Sequence, residues 1–386
     1  MNLRDTPEQA SFRREVRDWL QANLPGEPEP DDKVAYLRRW QRTLYEGGWA
    51  GLDWPSAYGG RGIGVIESII YHEEYTKLRA PNMIHLSVGP TLVAPTLITA
   101  GAEWQRERFL TPILTGDEVW CQGFSEPNAG SDLASLRARG DVRGDTIVVT
   151  GQKTWTSFAK QADWCILIVR TEPDSQRHRG LSFLLVDMAS PGISIRPLVE
   201  MTGHAWFNEV FLDGLEVPIE NVVGELHRGW DVVMTTLAHE RGSSSQHARL
   251  NADLDWLIDA ARTRKRGGRP LSEDPLVRQQ IARFASEIQV IKMTAYRAAS
   301  VLERKGVPGP EGSIMKLIWS DLDQRVKAAA LDILGPGALV QKGDPLAVED
   351  GYWAYELLWS RAASIYAGTS EVQRNIIARR VLGLPR

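Results

Sequence analysis

Residues 164–170 read WCILIVR, and residues 181–187 read LSFLLVD. Each is a short run rich in β-branched or aromatic side chains, and Gly, Pro and Asp turns separate them. That is the pattern of β-strands. Residues 146–150, 193–197 and 208–217 repeat it with more alternation. Together they predict a β domain of roughly a hundred residues. On either side the apolar period changes to three-to-four. Residues 12–20, 34–46 and 66–77 read as helices before the β domain, and residues 275–305, 313–334 and 352–361 as helices after it. The fold expected is mainly α with a central β domain, divided as 1–118, 119–226 and 227–386. The glycine-rich stretch 58–64 (YGGRGIG) does not complete a dinucleotide-binding fingerprint and reads as a loop, as does the polar stretch 262–274 (RTRKRGGRPLSED).

The composition narrows the function. A chain of 386 residues with 43% hydrophobic and 24% charged residues is long enough for a large core. A net charge of -4 gives no reason to expect nucleic acid or an anionic membrane surface. No apolar run is long enough to cross a bilayer, and the first residues read as an amphipathic helix rather than a signal or transit segment. Two cysteines, Cys121 and Cys165, exclude a disulfide scaffold and suit a reducing cytoplasm. The seven histidines have no metal-ligand spacing, so no metal is expected.

Four segments carry chemistry. In residues 230–241, WDVVMTTLAHER, Val233, Leu237 and Glu240 share one helical face, which places a carboxylate among apolar neighbours. A desolvated acid either finds a partner, here Arg241 or His239, or has a raised pKa suited to removing a proton from carbon. Residues 120–132, WCQGFSEPNAGSD, run from a strand into a loop whose small residues and Ser125 and Ser131 can approach an anion, or simply form a turn. Residues 151–157, GQKTWTS, set Trp155 among hydroxyls, an arrangement suited to a flat heteroaromatic ring as well as to a core indole. At 365–386 the chain reads IYAGTSEVQRNIIARRVLGLPR. Ser370 and Gln373 have capping-box spacing, and Gly383 with Pro385 predicts the helix end.

These segments, with FNEVFLDGLEVPIENVVGE at 207–225, resemble the acyl-CoA dehydrogenase family over essentially the whole chain. The wording looks similar to actinobacterial members, among them sterol side-chain dehydrogenases. The resemblance implies an N-terminal helical domain, a middle β-barrel-like domain and a C-terminal four-helix bundle, with FAD between them. It implies flavin contacts at Gln122, Phe124, Ser125, Gly130, Ser131, Trp155, Thr156, Ser157, Thr369 and Glu371. It places acyl-CoA against Ser131, Arg241 and Ala367. Many members carry their base just before the Gly-Thr-Ser turn, where this chain has Ala367. A smaller group, including isovaleryl-CoA and long-chain dehydrogenases, carries its Glu on a helix, before an Arg, which here is Glu240 before Arg241. The implied reaction is α,β-dehydrogenation of an acyl-CoA thioester to a 2-enoyl-CoA, with Glu240 taking the α-proton and the flavin taking the β-hydride.

The implied partners are acyl-CoA, an electron-transfer flavoprotein as acceptor, and further subunits in a homotetramer or a heterotetramer with a related chain. The sequence departs from the family on the adenine side of the flavin. The usual Arg-x-x-Phe-Gly stretch is replaced by residues 261–280, Asp332 stands for a Gln, and Pro336 for a Gly. Residues 82–99 are expected to border the acyl pocket. Two other readings remain open: a flavin oxidase or monooxygenase on the same fold, and a non-catalytic structural subunit.

Overall fold

The computed structural model describes residues 4–27, 30, 32–240, 246–305 and 309–385, the side chains of Glu240 and Lys305 excepted. Along the chain run α1 (Pro7–Asn23), α2 (Lys33–Glu46), α3 (Val65–Lys77), α4 (Ala94–Ala100) and α5 (Glu103–Thr115). Seven strands follow: β1 (Trp120–Gly123), β2 (Arg139–Arg143), β3 (Thr146–Ser157), β4 (Trp164–Arg170), β5 (Leu181–Asp187), β6 (Ile193–Leu198) and β7 (Phe207–Pro218). Then come α6 (Gly229–Glu240), α7 (Gln246–Thr263), a hairpin of β8 (Lys265–Arg266) and β9 (Arg269–Pro270), α8 (Pro275–Lys305), α9 (Glu311–Leu334), α10 (Tyr352–Ser360) and α11 (Ser370–Arg380). The chain forms two compact units. One comprises residues 1–22, 64–80 and 241–386, the other residues 23–63 and 81–240.

The second unit is built on a curled seven-stranded sheet in the order β1-β4-β2-β3-β7-β6, with β5 also paired to β4. β4 and β5 match the expected runs 164–170 and 181–187 residue for residue, and they pair antiparallel along their full length. Both are buried almost throughout, because a strand covered on both faces needs no polar alternation. The two cysteines lie side by side in the parallel β1–β4 register, free and buried. Helix α2 begins where Asp32 accepts a hydrogen bond from Ala35 N at 3.2 Å, and it buries Tyr36, Leu37, Trp40 and Leu44 at helical spacing. α6 packs on α4, where the buried hydroxyls of Thr96 and Thr236 lie 2.8 Å apart.

The first unit is helical. α7, α8 and α9 share a core of Leu250, Leu254, Phe284, Ile288, Ile291, Leu322 and Val326. Buried charge is kept only where it is paired. Lys327, wholly buried on α9, meets Asp323 at 2.9 Å and Asp253 of α7, and Arg249 meets Glu356 at 2.6 Å. A second knot ties α1, α3, α7 and α8 together. Glu73 accepts from Arg13 at 2.8 Å, faces His247 at 2.9 Å and pairs with Lys292 at 2.8 Å.

The stretch 262–274 is not the plain loop expected. It folds as the β8–β9 hairpin, turning through Gly267 and Gly268, both at positive φ. Arg266 fastens the hairpin by donating to the carbonyls of Asp332 (3.3 Å) and Ile333 (2.9 Å) in the last turn of α9. A guanidinium there satisfies carbonyls that have no partner within the helix.

Candidate active site

The expected contact residues of the second unit lie on two adjoining pieces of backbone. Gln122 lies one residue before the end of β1, half-buried and paired with Ile166 of β4. Phe124 is buried edge-on against Phe183, with ring centroids 5.8 Å apart. The chain then folds back on itself through reciprocal backbone hydrogen bonds between Glu126 and Ala129, each 3.0 Å, which leaves Gly130 and Ser131 exposed at the loop tip. The end of β3 runs alongside, and Thr154 N donates to Ser125 O at 2.9 Å.

β3 is longer than the expected run 146–150, extending through the whole of GQKTWTS. Its ladder with β7 slips between Lys153 and Thr156, where two residues of β3 stand opposite one of β7. This bulge explains the placement of the indole. Trp155 sits at φ 57° with 62% of its surface exposed, so the bulge turns the ring out of the sheet instead of into the core. Thr156 returns to the core, fully buried, and its hydroxyl has no partner among the described residues. Asn208 of β7 holds the same stretch by donating from its amide to Thr156 O at 3.1 Å. Ser157 closes the strand, half-buried. A solvent-facing indole beside a buried hydroxyl without a partner is an incomplete polar environment, and a flat ring with hydrogen-bonding edges would complete it.

Two residues that fasten these pieces together were not picked out from the sequence. Lys153 is wholly buried, and its ammonium donates to Phe124 O (3.2 Å) and Glu126 Oε1 (2.8 Å). Glu126 also accepts from Arg137 N (2.7 Å) and Ala138 N (2.9 Å). Burial pushes the Lys153 pKa down, against the opposing pull of Glu126. The signal available in the sequence was one acid, Glu126, and one base, Lys153, each set among the residues of the two loop segments.

Residues 82–99 form a 3-10 turn, Met83–Leu86, and a π-helical turn, Gly89–Val93, that runs into α4. His85 lies buried between Phe158 (4.4 Å) and Trp206 (4.5 Å). Burial, then the charge of Lys33, pushes its pKa down to about 4, so it is neutral at physiological pH.

In the first unit the chain reaches α11 through two consecutive left-handed residues, Ala367 at φ 52° and Gly368 at φ 85°. The N-cap is Thr369, whose hydroxyl accepts from Val372 N at 3.3 Å. The capping box expected from Ser370 and Gln373 does not form. Gln373 is buried and turns back onto the Ala367–Gly368 turn. The helix ends at Arg380, ahead of Gly383. Glu371 is exposed in the first turn, and its backbone N–H and the Thr369 hydroxyl hold its carboxyl below the usual range.

On α6 Val233 is buried and Leu237 half-buried, so they face inward as their spacing requires. Glu240 is the last residue of that helix, but its side chain and the whole of Arg241 lie outside the described residues. Ala367 stands at the turn with no carboxyl of its own.

The chain belongs to the acyl-CoA dehydrogenase family. The family's N-terminal, middle and C-terminal domain models match residues 6–117, 121–215 and 227–382. It is 40% identical to the acyl-CoA dehydrogenase IpdE1 of Mycobacterium tuberculosis, with 97% of each chain covered. Among solved structures it is similar to the Tcur3481-Tcur3483 steroid ACAD, at a TM-score of 0.90 and 29% identity over the full length of both chains. It also resembles the ChsE4-ChsE5 complex from Mycobacterium tuberculosis, at a TM-score of 0.88 and 31% identity, again over both full lengths. The chain is therefore an acyl-CoA dehydrogenase, and its family consists of flavoproteins. No helix among the described residues is long and apolar enough to cross a membrane.

Proposed function

We propose that this dehydrogenase holds FAD and converts a bulky acyl-CoA thioester to its 2-enoyl-CoA, with Glu240 as the base. The observation that carries the FAD reading is the bulge in β3, which leaves an exposed indole at Trp155 and an unsatisfied hydroxyl at Thr156. Gln122, Phe124, Ser125, Gly130, Ser131 and Ser157 would complete the ring and phosphate contacts on that side. Thr369 and Glu371, at the start of α11, would supply the rest. When bound, FAD supplies the acceptor for the β-hydride.

The α-C–H of a thioester is acidic, and a carboxylate can remove its proton at a useful rate when hydrogen bonds to the carbonyl oxygen stabilise the negative charge that develops there. The N–H of Ala367 is free to donate, since no acceptor for it exists among the described residues. A carboxylate must then receive the proton, and Ala367 has none. Glu240 is the acid that the sequence offers in its place, and the family resemblance assigns Arg241 to the substrate. Ser131, exposed at the loop tip, would meet the substrate. Residues 82–99 would border its acyl group.

An electron-transfer flavoprotein is the proposed acceptor. Two free buried cysteines suit a reducing cytoplasm. We propose a tetramer, either of this chain alone or with a related chain. The altered adenine-side stretch 261–280, folded as a hairpin that Arg266 ties to the end of α9, favours the second form, in which a related chain supplies that half of the site. The similarity to the two-chain ChsE4-ChsE5 complex points the same way.

The test is anaerobic titration of the purified chain, alone and co-expressed with a related subunit, against short, branched, long and steroid-acyl CoA esters. Bleaching of a bound flavin that is released as FAD supports the reading, with the fastest substrate naming the acyl class. A chain that takes up no FAD under either condition refutes it. Fast reoxidation of the reduced flavin by oxygen would favour the oxidase alternative.

A further inference from the structure

Ala367 is an alanine in a conformation that costs about 1–2 kcal/mol for a residue with a Cβ, and Gly368 beside it is also left-handed. Such a turn persists only if its surroundings over-determine it. Gln373 does so. It lies one turn into α11, 1% exposed, with its backbone N–H on Thr369 O at 2.9 Å. Its side-chain amide donates to Ala367 O at 3.0 Å and to Gly368 O at 3.1 Å. Both carbonyls of the turn are therefore held by one side chain. The carboxamide oxygen is buried and has no partner among the described residues. An unsatisfied buried acceptor costs about 1–3 kcal/mol. A methionine or leucine would fill the same space without that cost, so packing alone does not account for the amide.

We infer that Gln373 is a positioning residue that fixes the Ala367 backbone so that its free N–H meets the thioester carbonyl. This rests on the proposed reading of that N–H as the carbonyl's hydrogen-bond donor. The amide acts at one remove. It fixes the carbonyls on the far side of Ala367, which sets that residue's torsions and so the direction of its N–H. It touches neither substrate nor cofactor.

The experiment compares the flavin-loaded wild type with Gln373→Met and Gln373→Glu. Two quantities are read: the carbonyl stretching frequency of bound 2-enoyl-CoA, by infrared difference spectroscopy, and the rate of anaerobic flavin reduction. In the wild type the stretch should fall below its solution value. In Gln373→Met it should return toward solution, with flavin reduction slowed about 10–100-fold and KM nearly unchanged. A merely structural role would lower thermal stability and leave the stretch where it was. In Gln373→Glu the protonated carboxyl can still donate one hydrogen bond and the carboxylate none. Reduction relative to wild type should therefore fall as pH rises, which keeps the test open if the methionine variant does not fold. An unshifted stretch and unchanged rate in Gln373→Met, or a flat pH ratio in Gln373→Glu, overturns the inference alone. A wild type with no downshift overturns the donor reading, and the inference with it.

Discussion

Replacing Lys153 by Met should separate the two loops that the second unit brings together. The ammonium is fully buried and serves two acceptors, Phe124 O at 3.2 Å and Glu126 Oε1 at 2.8 Å. Removing one member of a buried pair costs about 3–5 kcal/mol, because the survivor is left charged and dry. Here the survivor keeps the N–H groups of Arg137 and Ala138, at 2.7 and 2.9 Å, so the lower end, about 3 kcal/mol, is expected. The loss falls between the Ser125 loop and the Trp155 bulge, so flavin affinity should fall along with stability. Adding Glu126→Gln should recover part of the stability, since the double variant leaves no lone buried charge. Equilibrium urea unfolding, followed by circular dichroism and by flavin release, measures both effects. A Lys153→Met protein that loses less than about 1 kcal/mol and holds FAD as tightly as wild type would refute the reasoning, because the pair would then behave like an exposed one.

Two further perturbations concern a buried hydroxyl without a partner among the described residues and a half-buried carboxylate with three. Thr156→Val removes a buried hydroxyl with no partner, so the flavin-free protein should gain about 1 kcal/mol while FAD binding weakens; thermal melts and flavin titration check this, and unchanged FAD affinity would dissociate Thr156 from the cofactor. Glu73 is opposed by burial, but His247, Lys292 and Arg13 outweigh it and bring its pKa from 4.5 down to about 2. A depressed carboxylate stabilises the fold at pH above its unfolded pKa, and the contribution disappears as pH falls from about 4.5 to about 2. The full difference is about 3 kcal/mol. The stability gap between wild type and Glu73→Gln should therefore close across that window, and a gap that persists at the acid end would show that the knot acts by packing.

What the sequence revealed follows from burial. β4 and β5 were read with correct bounds because residues 164–169 and 183–186 are unbroken apolar runs, the mark of strands covered on both faces. The second half of β3 was hidden because Gly151, Lys153 and two threonines break any alternation, and the bulge at Trp155 shifts the register within it. The β8–β9 hairpin was hidden by its charge. Only its Gly-Gly turn marks it, and its anchor is a side chain reaching carbonyls some 66 residues away. The cap of α11 was misplaced by one residue because Ser370 and Thr369 carry the same chemistry, and only the folded turn shows which hydroxyl meets Val372 N. Glu126 and Lys153 escaped because each acts largely on backbone groups, which leave no trace in residue spacing, and Gln373 was read as half of a capping box when its amide in fact donates to the Ala367 and Gly368 carbonyls. The spacing of Val233, Leu237 and Glu240 predicted one shared face, and on it Val233 is buried and Leu237 half-buried, while the Glu240 side chain lies outside the described residues.

The central claim is that the α-proton leaves to Glu240. Anaerobic stopped-flow reduction of the flavin-loaded Glu240→Gln variant by its best acyl-CoA, with exchange of the α-proton into deuterated water, tests it directly. The account predicts that acyl-CoA and FAD still bind, while reduction and exchange both fall by at least the roughly 10²–10⁴-fold that a positioned base contributes. Adding Ala367→Glu should then restore part of both. Near-normal reduction and exchange in Glu240→Gln would place the base elsewhere and contradict the account.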